Sequence, residues 1–158
     1  MEEVRPATAA DRPRLRELAG EWLAGLLGQR GGRLLFESDP SDPHGPGADE
    51  RLAGLIGSPG WVVLVGTLDG VVTGFACGRV EERSDGARRG VLEACYVEPG
   101  ARGVGIGHLL LESVVSWFTD RDVEGVDGTA LPGDRQAKNF FESAGFKARM
   151  LTMYRPIG

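Results

Sequence analysis

Asp69-Gly70 stands between two valine-rich runs, Trp61 to Leu68 and Val71 to Val80. Asp-Gly supplies the two positive-φ positions of a two-residue turn that matches the twist of paired strands, and β-branched side chains fit a pleated surface. The pair predicts an antiparallel hairpin in mid-chain. A lone hairpin is marginal in water, so further strands or helices must cover it. Val4 to Ala7 reads as a short first strand. After a polar loop, Glu81 to Gly90, a third long strand runs from Val91 to Glu98. Leu15, Leu18, Ala19, Trp22, Leu23 and Leu26 recur at helical spacing behind Asp11, a helix-capping residue type. Ser38 to Gly47 has the Pro, Gly, Ser and Asp content of a loop, and a short helix is expected from Ala48 to Ile56.

Downstream, Ile106, Leu110, Val114 and Trp117 form one apolar stripe on a helix from Gly105 to Phe118. Val126 to Leu131 reads as a strand. Asp134 caps a further helix that Gly145 ends, and Phe146 to Tyr154 reads as the last strand. This order predicts an α/β (α+β) architecture: a mixed, mostly antiparallel sheet with helices on its faces. With 158 residues, 41% hydrophobic and 26% charged, one domain over residues 1–158 is expected.

The net charge of -5 argues against a nucleic-acid partner, which calls for a basic stripe. Lysine occurs only at Lys138 and Lys147, so the cations are nearly all arginine, the better fork for phosphate. A GC-rich genome explains the same bias. Cys77 and Cys95 form no C-x-x-C pair, so neither a zinc site nor a disulfide framework is expected, and no metal. Met1 to Asp11 lacks an apolar signal core and the longest apolar runs fall short of a membrane span, so no membrane partner and a cytoplasmic setting are expected.

The segment Val97-Glu98-Pro99-Gly100-Ala101-Arg102-Gly103-Val104-Gly105-Ile106-Gly107-His108 leaves a strand and opens a helix. Helix N-termini offer free N–H groups and the positive end of the dipole, and glycines let a phosphate come close to the backbone. A Walker loop is excluded because no lysine follows. A dinucleotide fingerprint is excluded because His108 and Leu110 stand where its third glycine belongs. A plain turn in a chain with 25 glycines is the competing explanation.

Arg102, Gly105 and Gly107, with Gly103 and Ile106 between, resemble the pyrophosphate loop of the GNAT superfamily of acetyl-CoA-dependent N-acetyltransferases. Leu92 to Val97 followed by Glu98-Pro99 is similar to that family's fourth strand and its exit. Asp134 to Phe146 resembles the family's helix ending in Tyr-Glu-x-x-Gly-Phe, and Val4 to Ala7 with Asp11 resembles its opening. The resemblance spans nearly the whole chain. Two departures stand out. Phe141 replaces a tyrosine proposed in many members to protonate the departing thiolate, and Asp134 replaces a common asparagine.

The resemblance implies transfer of an acetyl group from acetyl-CoA to a primary amine of a small molecule or protein, by direct attack in a ternary complex. It implies that Tyr96, Val97, Arg102, Gly103, Val104, Gly105, Ile106, Gly107, His108, Asp134, Ala137, Phe140 and Phe141 contact the coenzyme, with the Val97 N–H polarising the thioester carbonyl. Glu93, inside an otherwise apolar strand, is the candidate general base. On a regular strand it shares a face with Val97, and burial raises a carboxylate toward a useful pKa. A solvated Glu on a half-exposed strand is the alternative. Tyr154 is a candidate acid in place of the missing tyrosine, or else an aromatic packing from the last strand. Cys95 reads as a core residue, His108 and His44 as surface residues. The loop Arg33 to Asp49, with Glu37, Asp39, Asp42 and Asp49, is expected to border the acceptor. Homodimers are frequent in the family, so one is implied by analogy. A coenzyme-binding sensor without turnover is the alternative function, and Phe141 is the residue in its favour.

Overall fold

The computed structural model describes residues 1–36 and 48–158. The hairpin forms where Asp69-Gly70 places it. Strand β2 (Trp61–Leu68) pairs antiparallel with β3 (Val71–Glu82), and Asp69 and Gly70 take φ of 49° and 81° at the turn. Strand β1 (Glu2–Pro6) joins the other edge of β2, and β4 (Arg88–Val97) joins β3, both antiparallel. Strand β5 (Val126–Gly128) adds to β4 in parallel, giving the order β1-β2-β3-β4-β5. The sheet is mixed and mostly antiparallel, as the order of elements predicts.

Helix α1 (Arg12–Leu27) and helix α2 (Ala48–Gly54) cover one face. Leu15, Leu18 and Ala19 of α1 are buried with Leu52, Ala53, Val63, Val65, Phe75, Cys77 and Ala94, and Trp22 meets Phe75 edge-on at 6.2 Å. Helix α3 (Ile106–Thr119) covers the other face, burying Ile106, Leu110, Leu111, Val114 and Phe118 against Val62, Leu64, Ala76 and Leu92. Its close approach uses sheet glycines. A Cβ on Gly66 would lie 2.5 Å from Ile106, and one on Gly90 would lie 2.8 Å from the Phe118 ring. Helix α4 (Arg135–Ser143) packs Phe141 over β5, 2.7 Å from where a Cβ on Gly128 would be. Among the described residues no helix is long and apolar enough to cross a membrane, and no three His, Cys, Asp or Glu side chains gather to hold a metal.

Four expectations need correction. The loop Glu81 to Gly90 is shorter than its polarity suggests, because Glu81, Glu82, Arg88 and Arg89 continue the β3–β4 ladder as cross-strand ion pairs. Strand β5 stops at Gly128 rather than Leu131. Asp11 begins α1 but makes no side-chain cap to it. Its carboxylate instead takes Arg5 at 2.7 and 2.9 Å and the Thr8 N–H at 2.8 Å, tying β1 to the helix start. The last strand, Phe146 to Tyr154, does not form. β5 offers only three residues to pair, and the chain from Lys147 to Gly158 runs exposed, held by side chains alone. The acidic loop with Glu37, Asp39, Asp42 and His44 lies outside the described residues, as does the side chain of Asp49.

Candidate coenzyme and acyl-transfer site

The turn after β4 is built to present bare amides. Gly103 and Gly105 adopt φ of 89° and 92°, a region that side-chain-bearing residues avoid, and residues 102–105 are exposed. Among the described residues no N–H from Gly103 to His108 donates to a protein acceptor. The first that does is Leu109, to the Gly105 carbonyl at 3.1 Å. Six consecutive amides at a helix start are left unspent within the protein, those of residues 103–105 on an exposed turn, an arrangement suited to an anion. The residues present therefore fit a coenzyme diphosphate.

The strand before the turn is open on one side. Parallel pairing with β5 covers only Gly90 to Leu92, so among the described residues the outer edge of β4 from Glu93 to Val97 has no strand partner. The Val97 carbonyl accepts the Arg102 Nε–H at 2.7 Å rather than a neighbouring strand. In extended backbone a residue's N–H and C=O point the same way, so the Val97 N–H faces this open edge too. Arg102 also lies over the Tyr96 ring at 5.5 Å, and the Tyr96 hydroxyl donates to Glu21 at 3.1 Å. Burial, then Glu21, pushes the Tyr96 phenol upward.

The exit of β4 is clamped. Glu98 N–H donates to the Thr73 carbonyl at 2.9 Å, and the Glu98 carboxylate takes Arg14 at 2.6 Å, while Arg14 Nε donates to the Val72 carbonyl at 3.0 Å. Helix α1, β3 and the glycine turn are thereby joined through one arginine. Helix α4 closes the other side. Asp134 accepts the Ala137 N–H at 2.9 Å as a true cap, and Phe140 lies 5.1 Å from His108 and against Gly107. Phe141 is committed to packing, against Gly128 and Phe146 at 5.2 Å, and offers no hydroxyl.

Glu93 is buried, with its side chain 8% exposed, but not as the pattern of a regular strand has it. Cys77 pairs with Ala94 and Gly78 with Leu92, so Glu93 is the extra residue of a bulge. The bulge turns its carboxylate to the α1 face, where Arg79 Nε donates to it at 2.7 Å, while Val97 packs on the α3 face. The two do not share a face. Burial disfavours a charge on Glu93 and the guanidinium favours one, so the two influences oppose each other. From Arg79 a row of ion pairs crosses the sheet, through Glu81 and Arg89 to Asp127 and Arg149.

Tyr154 is 86% exposed on the C-terminal tail and packs on nothing in the core. Cys95 packs on the α3 side, and burial pushes its thiol up to about 12. The sequence reading brings together the turn, Tyr96, Val97 and the α4 residues. It misses Arg79, Arg14 and Glu21. Only the β3–β4 register links Arg79 to Glu93, and nothing in the sequence links Arg14 to Glu98 across 84 positions.

The model of the acetyltransferase (GNAT) family matches residues 33–146. An aminoglycoside N(6')-acetyltransferase type 1 of Stenotrophomonas maltophilia is 28% identical over 155 residues, covering 96% of this chain and 90% of that protein. Among solved structures, a variant of the BH1408 protein of Bacillus halodurans superposes with a TM-score of 0.81 at 20% identity, over 98% of this chain and 99% of that one. An aminoglycoside acetyltransferase from an uncultured soil sample, solved with sisomicin, gives 0.70 at 18% identity, over 99% and 97%. AAC(6')-Iy, solved with a bisubstrate analogue joining CoA to an acetylneamine derivative, gives 0.69 at 18% identity, over 100% and 99%.

Proposed function

Because this chain belongs to the acetyltransferase (GNAT) family, we propose that it moves an acetyl group from acetyl-CoA to a primary amine of a small cationic acceptor. The observation that carries this reading is the run of unspent amides from Gly103 to His108 beside the open edge of β4. Those amides and Arg102 hold the diphosphate, and the β4 edge lines the pantetheine arm. When bound, acetyl-CoA supplies the thioester carbonyl that the amine attacks in a ternary complex. The Val97 N–H, facing the open edge, donates to the carbonyl oxygen as charge gathers there. Glu93 takes the proton that the amine sheds, directly or through water. With Phe141 at the position of the family's tyrosine, the thiolate departs without a side-chain acid from α4. A good leaving group makes that tolerable.

The small-molecule acceptor is supported by relatives named for aminoglycoside acetylation. Free-thiol release from acetyl-CoA, measured over a panel of aminoglycosides, polyamines and peptides, tests the reading. Turnover is expected with aminoglycosides or polyamines. In the same assay Arg102→Ala should weaken acetyl-CoA binding about 10- to 100-fold, the value of a charge-assisted contact to phosphate. Unchanged affinity in calorimetry would remove the diphosphate role. Tight acetyl-CoA binding with no turnover on any amine favours the sensor, the reading for which Phe141 speaks.

A further inference from the structure

Helix α1 turns a polar stripe toward the exit of β4. Arg14, Glu17 and Glu21 recur at i, i+3 and i+7, which is one face of a helix. Glu21 accepts the Tyr96 hydroxyl at 3.1 Å, and Arg14 Nη1 donates to Glu17 at 2.9 Å. Arg14 also reaches the sheet. Its Nε donates to the Val72 carbonyl at 3.0 Å and its Nη2 to the Glu98 carboxylate at 2.6 Å. A guanidinium is a rigid planar fork, so all three directions are fixed together, which the single nitrogen of a lysine does not do.

The fork holds the root of the glycine turn. The Val72 carbonyl is available to it because β3 bulges there. Thr67 pairs with Val72 and Gly66 with Gly74, which leaves Thr73 as the extra residue. Thr73 gives its carbonyl to the Glu98 N–H at 2.9 Å, while its own hydroxyl is buried and, among the described residues, has no partner. Buried hydroxyls are as a rule paired, and bulges gather beside sites of function. This bulge leaves one hydroxyl orphaned and aims two carbonyls, one at Arg14 and one at Glu98. Past Glu98, residues 99–105 include Gly100, Gly103 and Gly105, and only Ala101 among them is buried. Glycines keep more backbone freedom than any other residue and give it up on closing around a ligand. A turn of this composition binds better if its root is already fixed.

We infer that Arg14 is a positioning residue for acetyl-CoA: by fixing Glu98 it sets the root of the turn, so that the amides from Gly103 onward stand ready for the diphosphate. It acts through Glu98 and not by touching the coenzyme. The inference rests on the proposed reading of those amides as the diphosphate site. The competing role is a plain tie between α1 and the sheet. Arg5, which ties β1 to the start of the same helix through Asp11 and does not reach Glu98, is the control for it.

Calorimetry of acetyl-CoA binding compares the full-length wild type with Arg14→Leu, Arg14→Lys, Glu98→Gln and Arg5→Ala. Arg14→Leu should weaken binding about 3- to 30-fold, the range for a residue that acts through another. Arg14→Lys keeps the charge but not the fork and should fall between Arg14→Leu and wild type. Adding Glu98→Gln to Arg14→Leu should cause no further loss, because the pair acts as a unit. Arg5→Ala should bind as wild type does although its Tm falls. In turnover, KM for acetyl-CoA should rise in Arg14→Leu while kcat and KM for the amine hold. Hydrogen exchange on the coenzyme-free protein should show the Glu98 N–H protected in wild type and open in Arg14→Leu. If Arg14→Leu fails to fold, Arg14→Lys and Glu98→Gln decide by the same measurements. Wild-type affinity in the Arg14 variants, an equal loss in Arg5→Ala, or a Glu98 N–H that stays protected in Arg14→Leu overturns the inference and leaves the coenzyme assignment standing. A wild-type chain that does not bind acetyl-CoA removes the proposed function first, and this inference with it.

Discussion

Arg79 and Arg5 each hold a carboxylate, and the consequences differ because the carboxylates differ. Glu93 sits on a bulge at the open edge of β4, with Arg79 at 2.7 Å. Glu93→Gln should lower kcat about 10²- to 10⁴-fold, the range for losing a general base. Arg79→Leu removes the cation that favours the charged carboxylate, so the acidic limb of the kcat profile should move to higher pH. A profile that stays in place in Arg79→Leu would show that Glu93 is not the group being titrated. Asp11 has no such chemistry to do. Arg5, then the Thr8 N–H, holds its carboxyl down to about 2 from an ordinary 3.8. A lowered folded-state pKa adds stability that is present above about 4 and lost as pH falls toward 2. Arg5 is 44% exposed, so the pair's worth is discounted for solvent. Arg5→Ala should cost about 1 kcal/mol at neutral pH, and its gap from wild type in urea melts should close between pH 4 and pH 2. A gap that stays constant down to pH 2 would show that the Asp11 pairing is not its source.

Helix α3 owes its position to missing side chains on the sheet beneath it. Gly90 faces the flat of Phe118, a fully buried ring, with 2.8 to 3.0 Å between the ring and any added Cβ. Gly90→Ala should therefore overpack the core and cost about 1–3 kcal/mol. In a chain of this length that lowers Tm by roughly 2–4 °C per kcal/mol. Because α3 carries on its first residue the turn proposed to hold the coenzyme, KM for acetyl-CoA should rise in step. A Gly90→Ala protein with wild-type Tm would show that Phe118 has room to move. The elements were legible where local chemistry is strong: the Asp-Gly turn, the stripe of α3, the Asp134 cap and Gly145 stop of α4. They were misread where pairing decides. Whether Val126 to Leu131 or Phe146 to Tyr154 becomes a strand depends on which edge is free to receive it, and no local pattern records that. The bulge at Glu93 is of the same kind, since a register break is a property of two strands. The exposed turn was readable because glycine spacing itself creates it. The Arg79, Arg14 and Glu21 contacts were not, because each joins elements far apart in the chain.

The whole molecule is one sheet with a separate apolar cluster on each face, and a cysteine marks each. Cys77 is buried on the α1–α2 side and Cys95 is partly buried on the α3–α4 side, on adjacent strands, with Cys77 opposite Ala94 and Cys95 opposite Ala76. Burial raises both thiols, Cys77 with a further push from the nearby Glu93 carboxylate, so neither reacts while its face is closed. Thiol labelling thus reads the opening of the two faces independently in the unmodified protein. The strands between the clusters are shared: stripping α1 and α2 from the sheet bares Phe75 and Val65, whose neighbours on β2 and β3 support α3. Loss of one face should therefore carry the other with it, and the two thiols should open with the same free energy, equal to that of global unfolding. Mass-resolved labelling with a maleimide in low denaturant checks this. Doubly labelled chains should rise with no lasting singly labelled species. A population labelled only at Cys77 would mean that α1 and α2 release alone. That would divide the molecule at its sheet into a stable half that carries α3 and the glycine turn and a looser half that carries α1 and α2.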